Sequence, residues 1–120
     1  MSFKAVDGFD TSQIPQILDI IPVAITVIDL EGNILFYNQY SSQVLDRKPA
    51  YLGTDIRSCH QKPETNERID HMLGEFKAGR RDDFYYEAFR YGKDIAVTLS
   101  PFEVDNKLIG CIQSVTIKRS

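Results

Sequence analysis

Strand-forming residues stand at both ends of this chain and helix-forming residues fill its middle. That order constrains the fold more than any other feature. Near the N-terminus, residues 23–30 are rich in β-formers through Ala24-Ile25-Thr26-Val27-Ile28. Glu31-Gly32-Asn33 is a turn in which Gly32 and Asn33 both tolerate positive φ, and Ile34-Leu35-Phe36-Tyr37 returns. At the far end three strands are expected over 83–91, 94–104 and 108–117, joined at Gly92-Lys93 and Asp105-Asn106-Lys107. Pro101 calls for an edge or bulge position, and Gly110 leaves room for another group to come close. Connections of hairpin length require these strands to pair antiparallel.

The middle reads as helices and one irregular segment. A short helix is expected over 12–21, with Ser12 as its cap and Ile14, Ile17, Leu18 and Ile21 on one face. Asn38 is expected to cap a second over 39–45. Residues 46–59 are irregular, because Arg47-Lys48-Pro49 disfavours helix. Pro63 opens the longest helix, which carries an apolar stripe of Ile69, Met72, Leu73 and Phe76 and stops at Gly79. One sheet closed from the two strand groups puts the helices over one face. This is an α+β chain with a five-stranded antiparallel sheet and a ligand-sized space between its layers.

With 120 residues, 42% hydrophobic and 26% charged, the chain fits one soluble domain. Residues 1–11 read as an N-terminal arm and 12–120 as the domain. A formal net charge of −3 argues against a nucleic-acid partner. No apolar run nears the roughly 20 residues of a membrane span. No signal peptide is evident, so a cytoplasmic location is expected, for a free-standing protein or part of a longer one. Cys59 and Cys111 are not expected to form a disulfide. No GxSxG, P-loop, HExxH or GxGxxG motif is present, and no enzyme activity is expected.

Ile21-Pro22-Val23-Ala24 leading into Val27-Ile28-Asp29, then Gly32 to Asn38, and finally Asn106 to Ile112 together resemble the PAS domain pattern. The resemblance covers 17–117. It implies a sensory module that binds a small molecule between helices and sheet and relays occupancy to an effector domain or partner protein, commonly as a homodimer. A ligand-free interaction or dimerisation module is the other reading. A finer likeness lies at Gly53-Thr54-Asp55-Ile56, Ser58-Cys59-His60, Lys62 and Phe76-Lys77-Ala78-Gly79. It is similar to PAS modules found beside hemerythrin-like domains, which carry Asn-Cys-His-Pro-Pro-Lys-Ser. Here Ser58 replaces the Asn, and Gln61 and Pro63 shift the prolines.

The residues expected around the ligand are Tyr37, Tyr51, Ile56, Cys59, His60, Met72, Phe76, Val97 and Ile112. His60 is the candidate metal ligand, as an axial imidazole for haem b, with the Cys59 thiolate as the alternative. The other reading makes His60 a helix cap or backbone partner and Cys59 a small buried hydrophobe. His71 lies opposite the apolar stripe and is expected in solvent. Arg57 is read as a solvated loop residue, or as a bidentate carboxylate binder if it points inward.

Overall fold

The computed structural model describes residues 5–59 and 63–118, and for Cys59 the backbone alone. The elements run α1 (Ile14–Ile20), β1 (Ala24–Asp29), β2 (Ile34–Tyr37), α2 (Ser41–Val44), α3 (Pro63–Lys77), β3 (Phe84–Arg90), β4 (Lys93–Val104) and β5 (Lys107–Ile117). Single 3-10 turns occupy Thr11–Gln13, Pro49–Tyr51 and Ile56–Cys59. The five strands form one antiparallel sheet in the order β2-β1-β5-β4-β3. The last strand therefore lies at the centre, between the N-terminal hairpin and the C-terminal meander.

Sequence alternation fixes which face is covered. Ala24, Thr26 and Ile28 of β1, Ile95, Val97 and Leu99 of β4, and Cys111 and Val115 of β5 are all buried. Period-two geometry puts them on one side of the sheet. On α3 the expected stripe of Ile69, Met72, Leu73 and Phe76 is buried against that side. The Phe76 ring meets Phe84 edge-on, with centroids 5.3 Å apart. The opposite face leaves Tyr85 and Phe89 largely exposed.

Two glycines and a proline hold the strand geometry. A Cβ on Gly110 would stand 1.9 Å from the Ile28 carbonyl oxygen, so the β1–β5 pairing requires glycine there. Gly32 has φ +92° in the first hairpin turn. The Asp29 carboxylate ties that turn, accepting from the Glu31 and Asn33 backbone N–H groups at 3.0 and 2.8 Å. Pro101 sits in β4 beyond Leu99, where pairing with β3 has already stopped, and a bulge follows at Phe102/Glu103. Proline is tolerated there because that edge of β4 needs no N–H donor.

Asn38 does more than cap a helix. It is fully buried. Its Oδ1 accepts from the Ile25 N–H at 2.9 Å, and its Nδ2 donates to the Leu18 and Val23 carbonyls at 2.5 and 2.9 Å. One amide thus joins α1, the start of β1 and the end of β2. The second helix begins at Ser41 rather than 39, and the Ser41 N–H reaches the Asn38 carbonyl at 3.1 Å.

The segment expected to be irregular is firmly attached. Ile34 N–H donates to the Thr54 carbonyl at 2.8 Å, Gly53 N–H to Ile34 at 2.7 Å and Ile56 N–H to Gly32 at 2.8 Å. Residues 53–56 therefore run as a short antiparallel companion to β2, with an isolated bridge at Asn33 and Asp55.

Candidate functional site

The covered face of the sheet encloses a cavity of about 50 Å³. Its floor is Ile28, Val97, Leu99, Gln113 and Val115, and its roof includes Ile56, Ile69 and Met72. Tyr86, Ala88 and Arg90 of β3 close one side, with Leu45 and Arg47 at another. A single water needs roughly 10–15 Å³ of such space, so about four water-sized groups fit.

Arg47 is the unexpected member. It lies just after α2, in the Arg-Lys-Pro run that reads only as a helix breaker, and it is 6% exposed. Its Nε donates to Thr26 Oγ1 at 3.1 Å, its Nη2 to Gln113 Oε1 at 3.0 Å and its Nη1 to the Asp46 carbonyl at 3.0 Å. Thr26 and Gln113 are directly opposite each other on β1 and β5. The guanidinium therefore lies across a polar cross-strand pair in the middle of an otherwise apolar sheet face. Arg47 also lines a surface groove with Asp19, Phe36, Tyr37 and Leu52, so it stands between the interior and that groove. The signal in the sequence is two polar residues, Thr26 and Gln113, at inward positions of strands that are neighbours.

Arg57 faces elsewhere. Its Nε donates to Asp55 Oδ1 at 2.9 Å, and its other nitrogens reach the Asp70 carboxylate and the Glu31 carbonyl. It clamps the β1–β2 turn to α3. The hydrogen bond from Arg57 holds the Asp55 carboxyl below its usual range. The same bond, followed by that to Asp70, raises Arg57. Arg57 is thus part of a surface network and is not the inward carboxylate binder that one reading allowed.

Of the residues expected around a ligand, Ile56, Met72 and Val97 line the cavity. Four others do not. Tyr37 sits on the outer groove, and Tyr51 packs beside the core with its hydroxyl 3.2 Å from Asp46 Oδ2. Phe76 is consumed by the core at 0% exposure. Ile112 belongs to the other face of β5, because Cys111, Gln113 and Val115 take the inward positions. His60 and the Cys59 side chain lie outside the described residues. Among the described lining residues none is histidine or cysteine. His71 is exposed on α3, its ring edge-on to Phe84 at 5.9 Å. Cys111 is a fully buried free thiol, and burial pushes it up to about 12, so it stays protonated at neutral pH.

A five-stranded antiparallel sheet with its helices on one face, enclosing a small apolar space, defines the architecture of a PAS-type module. The sequence agrees: residues 14–116 match the model of the PAS domain family, and the chain belongs to that family. Solved structures of similar fold include a C-terminal domain from Streptococcus mutans. It shares 21% identity and TM-score 0.75, covering 96% of this chain and 90% of that one. The PAS domain of Bordetella pertussis BvgS has 19% identity and TM-score 0.71, with 91% and 86% covered. The Cronobacter turicensis RpfR quorum-sensing receptor PAS domain, in complex with BDSF, has 19% identity and TM-score 0.61, with 82% and 96% covered. No curated protein matches the sequence. PAS domains are typically sensory and signalling modules. Among the described residues no helix is long and apolar enough to cross a membrane.

Proposed function

We propose that this domain senses a small molecule held between α3 and the sheet and passes occupancy to an effector domain or partner protein. The observation that carries the reading is an internal space bounded by apolar side chains and by a fixed, buried guanidinium. A module whose task was contact alone would gain stability by filling that space. The RpfR domain, of the same fold, is seen with a ligand. The cavity, with space for about four water-sized groups, favours a ligand far smaller than a haem macrocycle. The ligand this cavity takes is small, and Met72, an unbranched side chain in its roof, is the residue best able to yield to a larger one.

In this reading occupancy shifts an equilibrium between two arrangements of the helices or two homodimer geometries. Helix α1 presents Ile17 and Ile20 to solvent, 42% and 77% exposed, and is the surface on which a second copy would register the change. Amide exchange and sedimentation of the purified domain with and without its co-purified small molecules provide the test. Protection of α3 and the floor strands rises on binding if the reading holds. Identical exchange and identical oligomeric state in both preparations would leave the interaction module as the better description.

A further inference from the structure

We infer that the outer edge of β3 pairs with the same edge of a second copy of this chain, antiparallel about a two-fold axis at Glu87. The contact is on a different surface from α1 and stands whether or not the cavity takes a ligand. The sheet has two edges, β2 and β3. Strand β2 is four residues long, and its first, Ile34, already bonds residues 53 and 54. The β3 edge is bare. Among the described residues, 84–90 make no backbone–backbone hydrogen bond except to β4. One side chain, that of Arg90, returns its Nη1 to the Phe89 carbonyl at 3.0 Å.

The hairpin that follows β3 fixes which of its groups face outward. The two central residues, Tyr91 and Gly92, have φ +52° and +75°, the type I′ geometry, and Arg90 pairs with Lys93. Residues flanking such a turn exchange both hydrogen bonds, and the pattern then alternates along the pair. Phe84, Tyr86, Ala88 and Arg90 therefore bond to β4, while Tyr85, Glu87 and Phe89 turn their N–H and C=O groups away from the sheet. Strand β3 lacks the usual protection of a free edge. It has no proline, no lysine and no bulge, and Tyr85 and Phe89 are 61% and 63% exposed.

A second copy suits this edge because the pattern is symmetric about Glu87. A two-fold axis there sets Glu87 against Glu87 of the second copy, and on either side Tyr85 against Phe89. Each outward N–H then faces an outward carbonyl, and two aromatic cross-strand pairs form on the exposed face. The central carboxylates do not meet unshielded. Lys118 Nζ lies 2.8 Å from Glu87 Oε1, so each copy brings an ammonium with its carboxylate. The contact also closes: it consumes the β3 edge of both copies and leaves a short β2 at each end, so growth stops at two. An extended strand of another protein would gain the backbone bonds without that symmetry.

The experiment is sedimentation velocity of the purified domain, with amide-resolved hydrogen exchange in dilute and concentrated protein. A dimer is expected. Exchange at the Tyr85, Glu87 and Phe89 amides should slow at least tenfold with concentration, and that at Tyr86 and Ala88, already bonded to β4, less than threefold. Phe89→Lys should weaken association at least tenfold and Lys118→Met at least threefold. Leu35→Lys, at an exposed position on the other edge strand, should change it less than threefold. In a Cys59→Ser background, Glu87→Cys should cross-link to its own copy under mild oxidation and Tyr85→Cys should not, because only position 87 meets itself. A monomer at every concentration overturns the inference. So does a dimer in which the three outward amides exchange as fast as in dilute protein, since its contact lies elsewhere. Cross-linking through Tyr85→Cys in place of Glu87→Cys overturns the register. A monomer whose outward amides slow only with an added alternating threonine–valine peptide assigns the edge to a foreign strand and overturns the pairing.

Discussion

Arg47 and Arg57 lie ten residues apart in the same connecting segment and serve opposite ends. Arg57 is a surface clamp: it meets two carboxylates and the Glu31 carbonyl, and it holds the first hairpin turn to α3. Its side chain keeps 28% of its exposure. Arg47 is drawn under the helices and hydrogen-bonded to a hydroxyl, a side-chain amide and a carbonyl. A charge matched by carboxylates at a surface mainly fixes the positions of the elements it joins. A guanidinium buried beside a cavity costs desolvation that its hydrogen bonds must offset, so it ties the strands and the connecting segment together from within. The comparison separates a residue that frames the site from outside from one that lies in its wall.

The largest expected effect tests the buried partner. Arg47→Met removes the donor shared by Thr26, Gln113 and the Asp46 carbonyl and leaves those oxygens to find others. A loss of about 2–4 kcal/mol in urea unfolding is expected. Next comes Gly32→Ala. It forces a left-handed backbone on a residue with a Cβ, and that Cβ would stand 2.8 Å from Arg57 Nη2. The expected cost is about 1–2 kcal/mol. Combining Gly32→Ala with Arg57→Met should bring less than the sum, because the steric part then has no partner. Strict additivity would show that the clamp does not press on the turn. Arg57→Met alone should cost at most about 1 kcal/mol, the upper end for exposed ion pairs. If it costs more than Arg47→Met, the contrast between frame and site is inverted.

The sheet was legible because alternation and turn chemistry are local. Ala24, Thr26 and Ile28 on β1 and Val97 and Leu99 on β4 announce one inward face, and Gly110 announces a close approach. Met72 and Val97 follow such periodic patterns, whereas Ile56 was only an apolar side chain in a segment read as irregular. The misplaced residues have physical reasons. Ile112 is apolar like its neighbours, and one step along a strand changes the face. Phe76 was a candidate, but its stripe on α3 points it into the core, against Phe84. Arg47 was invisible to local reading, because its burial depends on two residues 21 and 66 positions away. Only knowing that β1 and β5 are neighbours brings Thr26 and Gln113 together. Residues 53–56 likewise gave no strand pattern, and their order comes from backbone bonds to Gly32 and Ile34.

The smallest effect is the acid response of the clamp. The Asp55 carboxyl is held below its ordinary value by the hydrogen bond from Arg57. A carboxylate whose folded pKa is depressed contributes stability that is complete above its unfolded value, about 3.9. That contribution is lost as pH falls through the folded value. Urea midpoints should therefore be flat in this term near neutrality and decline below about pH 4. Because the Asp55 side chain is 45% exposed, solvent screens the pair and the change is a fraction of that seen for a buried one. Asp55→Asn should flatten part of the decline, and Arg57→Met should flatten that part too, since both changes remove the Asp55–Arg57 hydrogen bond. Added salt should shrink it in the wild type by screening. An acid slope untouched by both variants would assign the decline to other carboxylates and leave Arg57 as a clamp held by its backbone contact at Glu31, which no proton can release.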